Sequence, residues 1–141
     1  MNLIATHLPS QMVFIQFLHP RNLTHESHQE TTTQLIHTIL DFPYPTIALI
    51  TGHTFGGACP LALAHDYRVM NSRRGFVSMP PVNLGLHFDG IGTLPRLKLR
   101  PEVARKMQLE AHKWTGKEAL EDRIVDAVAE PEETLNVALA K

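Results

Sequence analysis

Pro45-Thr-Ile-Ala-Leu-Ile-Thr-Gly-His-Thr-Phe-Gly-Gly-Ala-Cys-Pro-Leu-Ala-Leu-Ala-His-Asp66 is the stretch whose reading decides the fold. Residues 46–51 are short, apolar and bounded by Pro45 and Gly52, the pattern of a strand buried on both faces. Residues 58–65 are a run of small and apolar side chains that suits a short, close-packed helix. Between them lies Gly52-x-x-x-Gly56-Gly57. Strand, glycine turn and helix in that order put the open backbone N–H groups of a helix start beside glycines that a ligand can approach closely. A phosphate site of the Walker type needs Gly-Lys-Ser/Thr, and Gly57 is followed by Ala58-Cys59, so that reading fails. An enolate or other oxyanion needs only well-aimed N–H donors, and it stays open beside a plain tight turn.

Working outward, residues 12–18 read as a strand, and Leu35, Ile36, Ile39 and Leu40 repeat at helical spacing from residue 31 onward. Phe42-Pro-Tyr-Pro stops that helix, because proline lacks the N–H donor and its predecessor avoids the α region. On the other side, Tyr67-Arg-Val-Met, the turn at residues 71–75 and Phe76-Val-Ser-Met predict two more strands. The last third reads as helical. Val103, Ala104, Met107, Ala111 and Trp114 make one apolar stripe, Thr115-Gly-Lys-Glu118 is a capping box, and Pro131-Glu-Glu opens a final helix. The fold class is α/β with a helical tail, and no internal repeat is present.

The chain has 141 residues, with 13 Lys+Arg against 14 Asp+Glu and a net charge of −1. That length suits one hydrophobic core. At 43% hydrophobic and 19% charged, the composition is neither that of a disordered tail nor that of a membrane protein. There is no basic excess to neutralise phosphates, so no nucleic-acid partner is expected. The N-terminus does not read as a targeting segment, and a single cysteine, Cys59, suits a reducing, intracellular compartment.

Nine histidines call for a metal test. His53, His65 and His87 fall near the glycine turn, but no His-x-x-x-His pair or cysteine cluster gives metal-ligand spacing, so surface or packing histidines are expected and no metal site. Cys59 sits in a first helical turn, where a low-pKa thiol is one reading and a small buried side chain the other. Met107 and Trp114 read as core or oligomer interface. Lys98, Arg100, Arg105 and Lys106 read as a solvated face or as a loose basic patch for a phosphorylated cofactor.

The quoted stretch of residues 45–66 resembles the central signature of the crotonase superfamily, the enoyl-CoA hydratases and isomerases. Phe76-Val-Ser-Met-Pro-Pro-Val-Asn-Leu-Gly85, continuing to Gly92-Thr-Leu-Pro-Arg-Leu97, is similar to that family's second active-site segment. Trp114-Thr-Gly-Lys-Glu-Ala-Leu120 and Ile124-Val-Asp-Ala-Val128 resemble its helical segment near the C-terminus. The resemblance covers about residues 31–139. It implies a spiral of ββα units, incomplete at the N-terminus, with a C-terminal helical region that forms oligomers. Three zones follow: an atypical segment at 1–30, a partial core with the oxyanion turn at 31–97, and a helical region at 98–141.

The same resemblance implies chemistry on acyl-CoA thioesters, with coenzyme A as part of the substrate and no separate cofactor. Gly57 takes the position whose backbone N–H holds the thioester oxygen, with Phe55, Gly56 and Leu84 as substrate-binding residues. The two usual acid/base positions hold Pro60 and Pro81. Asp89, eight residues beyond Pro81, matches the spacing of an acidic group in the dienoyl-CoA isomerases; it reads either as a lone base or as an ordinary Asp-Gly turn. Residues 1–30 lack a Ser-Ala-Gly-x-Asp type segment, which in the family grips the CoA nucleotide and donates the first oxyanion N–H. The implied reaction is double-bond isomerisation. The alternatives are a catalytically impaired acyl-CoA binder or partner subunit, or a non-functional fragment. A homotrimer or hexamer and a peroxisomal or cytoplasmic location follow by the same resemblance. A shortened N-terminus is expected to leave the strand at 46–51 with an unpaired edge.

Overall fold

Two prolines fix where the first long helix ends and where the central strand begins. The computed structural model describes residues 2–7, 13–18, 25–85 and 90–141. In chain order the elements are β1 (Asn2–His7), β2 (Val13–Leu18), α1 (His25–Leu40), β3 (Thr46–Ile50), β4 (Thr54–Phe55), α2 (Ala58–Ala64), β5 (Tyr67–Asn71), β6 (Val77–Ser78), α3 (Pro81–Leu84), α4 (Thr93–Lys98), α5 (Pro101–Leu109), α6 (Gly116–Glu121), β7 (Ala127–Ala129) and α7 (Thr134–Leu139). Pro43 and Pro45 separate α1 from β3, as their missing donors and restricted neighbours require.

A five-stranded sheet runs β1-β2-β3-β5-β7, and β4 and β6 form a separate pair. β1 and β2 are antiparallel, and every other neighbouring pair is parallel. The expectation of a bare edge at residues 46–51 is corrected here. β2 pairs with β3 in register Val13↔Thr46, Phe14↔Ile47 and Ile15↔Ala48. The β-branched and aromatic residues of 13–17 favour that pleated pairing.

Successive residues of β3 divide two cores. Ile47 joins Val69, Ala129 and Ala138 on the face covered by α7. Ala48 and Ile50 join Met70, Leu61, Leu63, Met107 and Trp114 on the face covered by α2 and its neighbours. Helix α2 is buried from Cys59 through Ala64, and its alanines let it lie close to the sheet.

Four further differences from the sequence reading have local causes. Helix α1 begins at His25 rather than at residue 31, because its polar first turns carry no apolar period. The apolar stripe of α5 ends as a helix at Leu109; Ala111 takes φ +49°, and Trp114 leaves the helix to bridge Val77. Residues 127–129, expected within a helical tail, form β7 at the sheet edge (Val69↔Ala127, Met70↔Val128). A run of three apolar residues does not distinguish helix from strand. The final helix starts at Thr134 instead of Pro131, after a turn in which Thr134 Oγ1 donates to the Glu130 carbonyl (2.9 Å).

Arg68 ties these pieces together. Its side chain is 10% exposed and pairs with Asp126 at 3.2 Å. Nε donates to the Ile124 carbonyl (2.8 Å) and a terminal nitrogen donates to the His65 carbonyl at the end of α2 (2.9 Å). The Arg68 backbone N–H donates to Asp126 Oδ2 (2.7 Å). Beside it, Asp66 Oδ2 accepts from both the N–H and the hydroxyl of Thr46 (2.8 and 3.0 Å), which locks the start of β3 to the start of β5.

Removing Arg68 strands two carbonyls and a carboxylate near the core, so Arg68→Met is expected to lower stability by about 3 kcal/mol in urea denaturation. His65 is fully buried, with Nδ1 2.9 Å from the Leu61 carbonyl, and burial pushes its pKa below 6.5. Above the ordinary value both folded and unfolded states hold a neutral ring. Below it the unfolded chain takes up a proton that the folded chain resists, so stability falls as pH drops. The melting temperature is therefore expected to fall between about pH 7.5 and about pH 5.5, with a shallower fall in His65→Asn.

Candidate functional site

The turn from β4 to α2 is hung from β6. Thr54 N–H donates to the Phe76 carbonyl (2.8 Å) and Gly56 N–H to the Ser78 carbonyl (3.1 Å). On its other side β6 is held by Trp114, through Val77 N–H to the Trp114 carbonyl and Trp114 N–H to the Val77 carbonyl, both 2.9 Å. Ser78 Oγ donates to the Ala111 carbonyl (3.0 Å), and the Trp114 indole N–H donates to Asp122 (2.8 Å). The site turn thus rests on a strand whose far side is fixed by the segment after α5.

The two glycines differ in why they are glycine. Gly56 has φ +56°, the left-handed conformation that redirects the chain from strand to helix, and a side chain there is strained. Gly57 has φ −59° and ψ −20°, which any residue adopts. A Cβ on Gly57 meets only Thr32 Cγ2, at 3.9 Å, an ordinary contact. Neither conformation nor packing demands glycine at 57. Its N–H has no backbone acceptor among the described residues, and the missing side chain leaves that donor open to a ligand.

Cys59, one residue into α2, is a buried neutral thiol. Its Sγ lies 3.2 Å from the Thr54 carbonyl and 3.0 Å from the Ser78 carbonyl, and burial pushes its pKa up to about 12. That removes the thiolate reading. Pro60 is buried in the first turn of α2 and Pro81 at the first position of α3, where a proline's missing N–H costs nothing. Neither carries a proton.

Met79, the residue after Ser78, lines an open groove of about 650 Å³. Its other apolar walls are Pro81, Val82, Ile91, Leu97 and Leu109, with Thr93, Arg96 and Gln108 as the polar side chains. No carboxylate or imidazole of the described residues lines it. The structure therefore brings Gly56, Gly57 and Phe55 together on one turn, with the groove starting where β6 ends. Phe55 is 41% exposed, and the His53 ring is stacked between Phe55 and Phe76 at 5.2 and 5.4 Å. Leu84 lies on α3, is 66% exposed and is not among the groove-lining residues. Asp89 and His87 lie outside the described residues. Thr93, Arg96 and Leu97 of α4 fall in the stretch that resembles the family's second active-site segment, whereas no motif marks Gln108 and Leu109 of α5.

The basic face is only partly uncommitted. Arg100 pairs with Glu102 (3.5 Å) and Asp122 (3.2 Å), and Lys106 lies 5.8 Å over the Trp114 ring. Among the described residues no group of three His, Cys, Asp or Glu is placed to hold a metal ion, and no helix is long and apolar enough to cross a membrane. The contrast between the two glycines is testable by urea denaturation. Gly56→Ala is expected to cost about 1–2 kcal/mol, and Gly57→Ala less than about 0.5 kcal/mol.

The sequence profile of the enoyl-CoA hydratase/isomerase family matches residues 16–140. The chain is 38% identical over 102 residues to the peroxisomal enoyl-CoA delta isomerase 2 of Arabidopsis thaliana, covering 71% of this chain and 42% of that protein. It is 38% identical over 101 residues to the fatty acid oxidation complex subunit alpha of Idiomarina loihiensis, covering 70% of this chain and 14% of that one. The chain thus spans less than half the length of these curated relatives. Among solved structures it superposes on ThnE from S. clavuligerus with a TM-score of 0.77 at 17% identity, covering 97% of this chain and 80% of that chain, a likeness of fold. With its profile match running through β3, the Gly56–Gly57 turn and α7, this chain belongs to the enoyl-CoA hydratase/isomerase family of the crotonase superfamily.

Proposed function

We propose that the chain binds acyl-CoA thioesters and migrates a carbon–carbon double bond in the bound acyl group. The observation that carries this reading is Gly57: an ordinary helical conformation, an N–H with no backbone acceptor among the described residues, and a glycine that neither backbone nor described neighbours require. A thioester oxygen placed there accepts the Gly57 N–H and gains charge as the enolate forms. Asp89 is the proposed base. It removes a proton next to the unsaturated carbons, the electron pair spreads to the thioester oxygen, and the same carboxylate returns the proton to a different carbon. The apolar groove beginning at Met79 suits the acyl chain. A homotrimer or hexamer is proposed as the working assembly. A peroxisomal location is proposed by kinship with a relative of that name.

A second reading has its own support. Pro60 and Pro81 occupy both family acid/base positions at the starts of α2 and α3, and the described groove walls offer no substitute. One oxyanion donor acting without its partner sacrifices about 10²- to 10³-fold in rate. On that reading the chain is a binder or partner subunit of a crotonase-type oligomer.

A thermal melt with an unsaturated acyl-CoA at about 100 times its dissociation constant is expected to gain about 2.7 kcal/mol, a gain that Gly57→Ala abolishes. An unmoved transition overturns the acyl-CoA reading. Asp89→Asn then separates the two functions. Turnover lost with binding kept supports the isomerase, whereas binding without turnover in both forms supports the binder.

A further inference from the structure

Arg96 is the one charged side chain among the described residues that line the groove. It sits in the last turn of α4, and its guanidinium makes no hydrogen bond or ion pair with any described residue. Arg68 is committed to Asp126, Arg73 to Glu130 and Glu132, and Arg100 to Glu102 and Asp122; Arg74, Arg105 and Arg123 are not so paired among the described residues, but none of them lines the groove. Around Arg96 the walls are apolar and wet, with Leu97 75% and Leu109 64% exposed. Gln108, also in the groove wall, is neutral and its amide nitrogen donates to the Gly92 carbonyl at 3.4 Å.

A ligand that covers Leu97 and Leu109 also strips water from Arg96. A plain alkyl chain leaves that charge desolvated and unpaired, which is unfavourable, while a chain bearing a carboxylate replaces the lost water with a two-pronged ion pair. We infer that Arg96 is a specificity-determining residue that selects acyl thioesters whose chain ends in a carboxylate, an inference that rests on the acyl-thioester reading above.

The test compares dissociation constants, by calorimetry on the full chain, for two pairs of equal length: adipoyl-CoA against hexanoyl-CoA, and suberoyl-CoA against octanoyl-CoA. In at least one pair the carboxylate form is expected to bind about five- to tenfold tighter, and Arg96→Met is expected to erase or reverse that preference. Arg96 is exposed, so the variant is expected to fold, and an unchanged melting temperature checks this. Lys98→Met, on the same helix but outside the groove walls, is expected to keep the preference. Equal binding within both pairs overturns the inference while leaving the acyl-thioester reading intact. Equal weakening of all four ligands by Arg96→Met also overturns it, and assigns the arginine to the coenzyme phosphates. Absence of binding by every thioester overturns this inference and the reading beneath it together.

Discussion

One guanidinium group organises the ends of three elements. Arg68 leaves β5 and reaches the carbonyl of His65, which caps the end of α2, the carbonyl of Ile124 and the carboxylate of Asp126. A cation buried in this way is tolerable because each of its three nitrogens meets an oxygen. The consequence runs outward in both directions. Toward the C-terminus it anchors the approach to β7, a three-residue strand too short to hold its place by ladder bonds alone. Toward the site it fixes where α2 ends. With the Asp66–Thr46 latch beside it, this determines where α2 begins relative to β3.

Because α2 is a seven-residue, almost wholly buried helix, its position is set from both ends. The far end belongs to Arg68, and the near end belongs to the turn through Gly56 and Gly57. That turn is held by β6, and β6 by Trp114 and Ala111. A donor used to stabilise developing negative charge works by being already in place, since any reorganisation subtracts from what it contributes. Here two layers of hydrogen bonds stand behind the Gly57 N–H, and the groove opens from the same strand end. On the proposed reading, the donor thus sits on backbone held by hydrogen bonds from β6.

Much of this was legible in the residues. The buried strand at 46–50, the glycine turn, the small-residue helix and the Thr115–Glu118 capping box are each encoded in a few consecutive positions, and local physics decides them. What sequence did not reveal was decided at long range. β2 becomes a neighbour of β3 only through pairing across residues far apart in the chain, and β7 becomes a strand because β5 offers it a free edge. Arg68 reads as a strand residue in sequence, and nothing local announces its partners nearly sixty residues away. The distinction between Gly56 and Gly57 was likewise invisible, since two adjacent glycines look alike until one is seen to be left-handed. The groove is only partly legible, because its α3 and α4 walls fall in the quoted active-site segments while its α5 wall carries no motif.

The burial of Cys59 has a practical consequence. It is the only sulfhydryl in the chain, and it is shielded beneath the strand ends that carry the glycine turn, between the carbonyls of Thr54 and Ser78. Any alkylating reagent must wait for that corner to part before it can react. The chain therefore carries an internal stopwatch at its site, whose labelling kinetics time the breathing of α2 against the strand pair without a probe having to be engineered in.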